Sequence, residues 1–477
     1  MDARKADPTE TAGKAFEDYG RRMPTRSQVR AGLAFAVAAG SLALPAASSA
    51  TAPGWSTPHT GTSTNVSTYA AGSNGQGVQL FADGMPPSRM AQMRAIKQNG
   101  TLGTSVVVNP GTPGIGMNDL SVNDNGRLIA AWAIDQQNGT GVTNLAATLG
   151  ARTSLPRTAA VIPTGQLVTD LQTAIASNGT GVVAWVQAPQ NAPAGPATVH
   201  VARLVAGQAP AATQLASYSG LTVDDVSVGF DGDANPVVTW SVGSTAPNAP
   251  GVIGVARGTA AGIFAPAVES PIDTVQFDQL QTFVTTDGGP LAFWLTGSPG
   301  QTPVAVRYAQ AAATGPFSAA KTVISGASGG AAPAIAANAA GRAAVLFPLA
   351  SGNGTSLRVV LRTASGTWGS ARPLGPSGAR RVGKIDAGVD GSGRVVALWD
   401  DATSPSEGPT RILAARSSSG SNPLNTYNQV AQRKGDTVCG TPSLALGTSG
   451  DGLGTWTCPP STGAGKTSRI ARLTAPG

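Results

Sequence analysis

The apolar and polar positions of this chain repeat with a spacing of 51 to 57 residues. Stretches such as "NGRLIAAWAI", "NGTGVVAWVQ" and "ANPVVTWSVG" place a small residue in a turn, then a short apolar run, then an aromatic residue. Six positions before each aromatic stands a glycine or an alanine, which is typical of a tight turn. Alignment of the stretches gives a single register of eight aromatic residues: Phe81, Trp132, Trp185, Trp240, Trp294, Phe347, Trp399 and Trp456.

Each repeat contains the pattern of four short strands. A strand such as "TAIAS" precedes the turn, "VVAW" follows it, and strands such as "TVHVARL" and "GTWGSARPL" complete the unit. In "VVAW" neither the odd nor the even positions are polar, so the strand must be covered on both faces. Such units repeated along a chain are typical of propeller blades. We predict an all-β, eight-bladed β-propeller of four-stranded antiparallel blades over residues 51–477.

The two ends of this region complement each other. The last repeat stops after its third strand, at "SRIARL", and the segment "GWSTP" near the start resembles a fourth strand. We therefore expect the N-terminal strand to pair into the last blade, with Trp55 beside residues 466–473. This pairing would close the ring and remove exposed sheet edges.

Residues 1–50 have the pattern of an export signal. Four arginines (21, 22, 26 and 30) precede the uncharged run "AGLAFAVAAGSLALPAASSA", which ends in small residues. A basic region, a short apolar core and a small-residue exit are typical of a secretory signal peptide, cleaved here after Ala50. The apolar core of about 14 residues is too short to span a bilayer as a helix, so we expect no stable membrane insertion. The sequence predicts a secreted or cell-surface protein and leaves the general secretory and twin-arginine routes open.

Composition agrees with an ordered, turn-rich protein. Of 477 residues, 41% are hydrophobic and 12% charged, with 62 glycines and 35 prolines. The net charge of +7 becomes +5 without residues 1–50, which carry seven Lys/Arg and five Asp/Glu. No stretch concentrates this charge into a basic stripe, so we expect no nucleic-acid partner. We expect a monomer.

The repeats differ from the best-known propeller motifs. Trp-Asp appears once, in "ALWDD", which does not make WD40 repeats, and the paired glycines of kelch repeats are absent. The sialidase-type Asp box has a shorter spacing between its glycine and its aromatic residue than these repeats have. The quinoprotein motif includes a vicinal cysteine pair, which this sequence lacks. The pattern "a..d..G..vvaW" followed by "v..A.r...G.w" resembles the secreted propeller repeats common in actinobacterial-type genomes. This resemblance implies bacterial blades, and it implies no particular chemistry.

Residues for nucleophilic or metal chemistry are few. The two histidines are His59, in the predicted closing strand, and His200, within a blade strand, and no nucleophile turn accompanies either. The ligands of a zinc site are missing. The segment Asp231–Asn235 has alternating oxygen ligands as calcium loops do, but it occupies the repeated turn, where these residues are favoured anyway. We predict no cofactor and no metal.

The two cysteines, Cys439 and Cys458, lie at equal distances on either side of the last hairpin turn. In a two-residue turn register they face each other across neighbouring strands. Export makes oxidation the expected outcome, and we predict a disulfide, with two buried thiols as the alternative.

Charged residues recur at two places in the repeats. Acidic residues follow the aromatic strand in three blades, at Asp83, at Asp135 and at Asp400 with Asp401, and ring closure would put them on one arc. This arc is a candidate binding patch, the alternative being solvated loop carboxylates. An arginine also recurs in the third strand, either as a polyanion-binding ring or as a structural contact with the next blade: Arg94, Arg203, Arg257, Arg307, Arg362, Arg416 and Arg472.

The connections after the aromatic strand are long and rich in proline and glycine, as in "QAPQNAPAGPAT" and "DATSPSEGPT". Loops on a rigid scaffold tolerate functional variation. The first hypothesis is a non-enzymatic module that binds a protein or a glycan through these loops. The alternatives are a carbohydrate-active hydrolase or lyase using funnel carboxylates, and a cell-envelope scaffold.

Overall fold

The computed structural model describes most of the predicted propeller. The described residues are 54–56, 58–60, 67–72, 75–83, 90–108, 115–134, 144–189, 196–244, 251–272, 278–296, 304–327, 331–351, 354–375, 380–403, 411–417, 424, 427–432, 440–458 and 467–474. The leader predicted at residues 1–50 lies outside them.

The described residues form 32 strands in eight four-stranded antiparallel sheets, which we number as blades. Blade 1 contains β2 (Ser67–Ala71), β3 (Gly77–Asp83), β4 (Met90–Ile96) and β5 (Val106–Val107). Blade 2 contains β6 (Asn118–Val122), β7 (Arg127–Ile134), β8 (Asn144–Ala151) and β9 (Ala160–Ile162). Blade 3 contains β10 (Leu167–Ile175), β11 (Gly181–Ala188), β12 (Ala197–Leu204) and β13 (Ala211–Tyr218). Blade 4 contains β14 (Leu221–Phe230), β15 (Pro236–Ser244), β16 (Val252–Arg257) and β17 (Val268–Pro271).

The second half of the ring repeats this order. Blade 5 contains β18 (Asp278–Val284), β19 (Pro290–Thr296), β20 (Val304–Gln310) and β21 (Lys321–Ala327). Blade 6 contains β22 (Ala334–Ala337), β23 (Ala343–Ser351), β24 (Gly354–Arg362) and β25 (Arg372–Pro373). Blade 7 contains β26 (Arg381–Val389), β27 (Val395–Ala402), β28 (Arg411–Arg416) and β29 (Tyr427–Gln432). Blade 8 contains β30 (Gly440–Leu446), β31 (Gly452–Cys458), β32 (Thr467–Leu473) and the N-terminal β1 (His59–Thr60).

The turn between the first and second strands explains the repeated glycine. At the position six residues before each aromatic, φ lies between 62° and 86° in all eight blades. A side chain is strained in this left-handed region, whereas glycine adopts it freely. Seven blades use glycine here, and blade 4 uses Ala234, with a φ of 62°. The turn requirement therefore accounts for this half of the sequence signature.

The aromatic residue of the signature packs between blades. All eight predicted rings are buried, each with at most 4% of its surface exposed. Buried apolar residues in the described part form eight clusters, each shared by two successive blades, including one between blade 8 and blade 1. Trp185, for example, packs with Ile129 and Leu145 of the preceding blade. The predicted eight-bladed β-propeller is confirmed.

The N-terminal strand closes the ring as predicted. β1 pairs antiparallel with β32, with His59 opposite Ile470. Trp55 forms a bridge with Leu473 and is 7% exposed. The backbone N–H of Ser56 donates to the carbonyl of Arg472 at 2.8 Å. Segments more than 400 residues apart in sequence therefore share one blade.

First strands of neighbouring blades contact one another around most of the ring, and fourth strands rarely do. The first strands therefore lie nearest the axis. Within the ranges given above, no helix is long and apolar enough to cross a membrane.

Candidate functional site

The two faces of the ring are built differently. One side carries the turns of four or five residues between first and second strands, together with the connections between third and fourth strands, and we call it the short-turn face. The opposite side carries the connections after second strands and between blades, and we call it the long-loop face.

Neighbouring turns on the short-turn face are hydrogen-bonded to each other. Backbone N–H groups of Gly232, Thr286 and Gly391 donate to carbonyls of the next blade's turn at 2.8–2.9 Å. Side chains of Asn123 and Asn338 do the same at 2.7 Å. These bonds fix the turns to one another, so the short-turn face is a rigid surface.

On the long-loop face, blade 7 brings four charged side chains together. Asp400 and Asp401 end the aromatic strand β27, Arg411 begins β28, and Arg380 immediately precedes β26. Adjacent residues of a strand point to opposite faces of the sheet. The two carboxylates therefore have different surroundings.

Asp401 is fully buried between two arginines. Arg380 donates from Nε to Oδ2 at 2.7 Å and from Nη2 to Oδ1 at 3.1 Å. Arg411 donates from Nε to Oδ1 at 2.9 Å and from Nη2 to Oδ2. Burial raises the pKa of Asp401, but the hydrogen bonds and charges of Arg411 and Arg380 outweigh it and hold the pKa below its usual value. The side chains of Arg380 and Arg411 remain 24% and 21% exposed, so two arginines lie at this part of the rim.

Asp400 faces blade 8 instead. Its Oδ2 accepts the backbone N–H of Thr441 at 2.9 Å, and the side chain is buried. Burial raises the pKa of Asp400 to about 6, and the neighbouring charge of Asp401 adds to the rise, while Thr441 and Lys384 oppose it. Asp400 is therefore a carboxyl group that titrates close to neutral pH.

The predicted acidic arc is described only in part. Asp83 ends β3, its side chain lies outside the described part, and Asp135 lies outside the described residues. Asp400 and Asp401 are engaged inside the protein rather than directed at solvent. The binding role of these four residues stays a prediction.

A second set of carboxylates, which the sequence analysis missed, joins the innermost strands. In four blades an aspartate of the first strand accepts a backbone N–H from the first strand of the next blade at 2.8 Å: Asp119 from Thr173, Asp170 from Val226, Asp225 from Leu280 and Asp386 from Leu444. The inner edge of the first strand has no neighbouring strand, so these carboxylates satisfy donors that the sheet leaves over. The sequence signal that could have indicated these contacts is an aspartate that recurs at intervals of about 55 residues.

The recurring arginines are structural contacts in the cases where the partners are known. Arg257 donates to the carbonyl of Ala312 in the next blade at 2.9 Å, and Arg416 to that of Thr474 at 2.6 Å. Arg94 lies over the ring of Phe81, 4.7 Å from its centre. The register is less regular than the sequence suggested, because Arg307 lies opposite Trp294 itself, whereas Arg416 lies opposite the residue three before its tryptophan.

The histidines and the Asp231–Asn235 turn were also candidates for chemistry, and the contacts described for His200 and Asp231 are ones that support the fold. His200 stacks on Trp185 at 5.4 Å, and burial lowers its pKa. Asp231 accepts the backbone N–H groups of Asp233 and Asn235 at 2.9 and 2.8 Å, as a turn residue does. The described residues contain no group of three His, Cys, Asp or Glu side chains that could hold a metal. The backbone of His59 belongs to β1, and its side chain is not described.

The predicted disulfide falls partly outside the described residues. Cys458 is buried at the end of β31, and Cys439 lies outside. The register pairs Gly440 with Thr457, the residues adjacent in sequence to the two cysteines. The pairing is therefore compatible with the disulfide, which stays a prediction.

Comparison with known proteins finds likeness in the fold. No family model and no curated protein sequence matches the chain. Among solved structures, the polysaccharide lyase Uly1 is 10% identical over 95% of this chain and 96% of that chain, with a TM-score of 0.44. The β-propeller domain of the Trilobed protease from Pyrococcus furiosus is 9% identical over 74% and 92%, with a TM-score of 0.40. The α-L-arabinanase from Penicillium chrysogenum is 10% identical over 75% and 92%, with a TM-score of 0.37.

Proposed function

We propose that the protein is an exported β-propeller that binds a protein or a glycan through its long-loop face and catalyses no reaction. In this proposal residues 1–50 are a signal peptide and the propeller is secreted or displayed at the cell surface. The protein is a monomer that needs neither a cofactor nor a membrane anchor.

One observation carries the proposal, namely the difference between the two faces. Hydrogen bonds between successive turns fix the short-turn face, whereas on the opposite side the connection after the second strand is six to nine residues long in seven of the eight blades. Rigid scaffolds with long loops on one side are suited to presenting a recognition surface. The ring provides the rigid part because each blade shares a buried core with both neighbours.

The blade 7 rim supplies polar contacts for such a ligand. Arg380 and Arg411 are held in place by the buried Asp401, and their side chains remain partly exposed. A preorganised guanidinium loses little side-chain entropy when it binds carboxylate or hydroxyl oxygens. We expect this rim to contribute to binding of the protein or glycan.

The test uses residues 51–477 against a polysaccharide panel and an envelope extract. We expect saturable binding of one ligand. This binding is lost when residues 190–195 and 404–410 are replaced by Gly-Ser linkers. The control is Ile263→Arg, at a position 71% exposed in a turn of the short-turn face, and it leaves binding unchanged. Binding that survives the loop replacement and is lost in the control would contradict the proposal.

The second candidate, a carbohydrate-active hydrolase or lyase, is favoured by one observation. Burial raises the pKa of Asp400 near the long-loop face to about 6, as general acids need, although opening of the boundary between blades 7 and 8 would have to expose this carboxyl group to a substrate. Loss of polysaccharide turnover in Asp400→Asn, with unchanged ligand binding, would support an enzyme. Equal binding and no turnover in the unaltered protein would support the binding module.

The exposed large apolar side chains give no support to the envelope scaffold. In the part of the chain that the structure describes they are Val161, Leu221, Ile263 and Tyr427, which lie in three different blades. A scaffold contact would need them in one patch.

Export also bears on the two cysteines. We propose that Cys439 and Cys458 form a disulfide in the exported protein, within the blade that closes the ring. Thiol titration of the unfolded, unreduced protein then detects no free thiol. Detection of two thiols would contradict the disulfide.

A further inference from the structure

The short-turn face has a cavity of about 370 Å³ at the boundary between blades 5 and 6. It lies on the opposite side from the surface of the proposed function. The wall residues used below are Asp287, Gly289, Gln310, Ala340, Gly341 and Arg362.

In three other blade boundaries, an arginine lies at the corresponding place. It directly follows the turn glycine of one blade and lies against the turn glycine of the next: Arg127 against Gly179, Arg342 against Gly393, and Arg394 against Gly450. These side chains fill the space between the two turns.

The boundary between blades 7 and 8 shows how such a guanidinium is bound. Arg394 donates from Nε to Oδ2 of Asp390 in its own turn at 2.7 Å, and from Nη2 to the carbonyl of Ser449 in the next turn at 3.2 Å. A second guanidinium, from Arg416, donates to the carbonyl of Gly450 at 3.2 Å. This boundary therefore accommodates two guanidinium groups side by side.

Blade 5 lacks both of these arginines. Gly289 follows its turn glycine, and Gln310, opposite Leu291, stands at the strand position that Arg416 has in blade 7. Arg362 of blade 6 fills one of the two places, and donates to the carbonyl of Gly341 and to Oε1 of Gln310 at 2.7 Å. The cavity corresponds to the other place.

The carboxylate at this boundary stands at a different turn position from that of blade 7: Thr285 replaces Asp390, and Asp287 has the position of Ser392. Asp287 lies in the turn with its carboxylate at the surface, accepting from the backbone N–H of Gly289 at 3.3 Å and from the hydroxyl of Thr285. Ala340 has the turn position in blade 6 that Ser449 has in blade 8. Asp287 and Ala340 both line the cavity, and a carboxylate together with a backbone carbonyl can accept from the planar donor array of a guanidinium.

We propose that this cavity binds a guanidinium group from outside the chain, of the kind an arginine side chain carries. The Asp287 carboxylate pairs with the cation, and backbone carbonyls of the blade 6 turn accept its remaining N–H groups. The ligand is either an arginine of a partner polypeptide or the free amino acid.

The test follows alanine methyl resonances of the protein during titration with N-acetyl-L-arginine amide. We expect saturable shifts at Ala311, Ala339 and Ala340, which line the cavity. N-acetyl-L-citrulline amide, which has the same shape without the charge, does not produce them. Tighter binding of the capped probe than of free L-arginine indicates a polypeptide ligand, and the reverse order indicates the amino acid.

Asp287→Asn is the variant that tests the acceptor, and we expect it to weaken binding by about tenfold or more. Asp233→Asn, at the same turn position of blade 4 and also exposed, is the matched control and binds as the unaltered protein does. Gly289→Arg supplies the guanidinium within the chain and abolishes binding of the probe. Its Cβ would lie 2.8 Å from the carbonyl of Ala311, so Asp287→Asn remains the decisive variant.

Three results would overturn the inference. They are equal shifts with the citrulline probe, unchanged affinity in Asp287→Asn, and absence of saturable shifts at the cavity. None of them affects the proposed function, because binding through the long loops is measured with a different ligand on the other face.

Discussion

Burial between blades 7 and 8 makes Asp400 harder to ionise than an ordinary aspartate. Its pKa rises from 3.8 to about 6 because the side chain is withdrawn from water beside Asp401. The folded state then binds a proton that the unfolded state has released. Stability from this group is therefore fully present below about pH 4 and is lost as the pH rises through about 6.

We predict that Asp400→Asn removes this pH dependence. The amide is neutral at every pH and can still accept the N–H of Thr441. Relative to the unaltered protein, the variant's free energy of unfolding should increase between pH 4 and pH 7.5 by up to about 3 kcal/mol. Urea unfolding at the two pH values measures this difference. The same difference at both pH values would show that Asp400 ionises normally.

Ala234 provides a second test of a single position. It is the one turn residue of the eight with a side chain in the left-handed conformation. Ala234→Gly should stabilise the protein by roughly 1 kcal/mol, because relief of strain exceeds the entropy cost of glycine. The matched reverse change, Gly179→Ala, where φ is 86°, should destabilise it. The midpoint of thermal unfolding is measured for both variants. Changes of the same sign in the two variants would contradict the explanation.

At the scale of the strands, first-strand aspartates accept backbone N–H groups of the next blade, and the sequence patterns did not predict these contacts. The turn and aromatic signatures are local, so they predicted the blades and their number, and the complementary ends of the propeller predicted its closure. The partner of Asp170 is a backbone N–H 56 residues away, which side-chain patterns cannot indicate. The different surroundings of Asp400 and Asp401 follow from strand alternation, once their strand is known to lie between two others. Loops of unequal length hid the irregular arginine register.

We predict that Asp170→Ala destabilises the ring by about 2–3 kcal/mol, because the buried N–H of Val226 would lose the carboxylate to which it donates. Asp170→Asn keeps an acceptor oxygen and should cost less. Asp233→Ala, in an exposed turn, serves as the control and should have little effect. Urea denaturation compares the three, and equal losses for Asp170→Ala and Asp233→Ala would refute the role of this contact.

Across the whole ring, β1 completes the last blade. Trp55 packs with Leu398 of blade 7 and with Trp456, so it connects the closing segment to the neighbouring blade. Pairing with β1 covers the edge of β32, which would otherwise be exposed. Stability of the ring therefore depends on a short segment near the start of the propeller.

We predict that Trp55→Ala lowers the free energy of unfolding by about 3–5 kcal/mol, as expected for loss of a buried tryptophan. A chain beginning at residue 61 should show faster hydrogen exchange in β32, whose edge would be exposed. A chain beginning at residue 51 is the control and should match the full-length protein in thermal unfolding. Unchanged exchange in β32 after removal of β1 would contradict the closure.

The pairing of β1 with β32 also sets an order of events. Seven blades are made from neighbouring residues and can form while synthesis is still in progress. The eighth must wait for both ends of the propeller, since its strands come from opposite extremes of the sequence. Until β1 pairs with it, β32 has an unpaired edge. The protein is therefore most prone to associate with other chains during this interval.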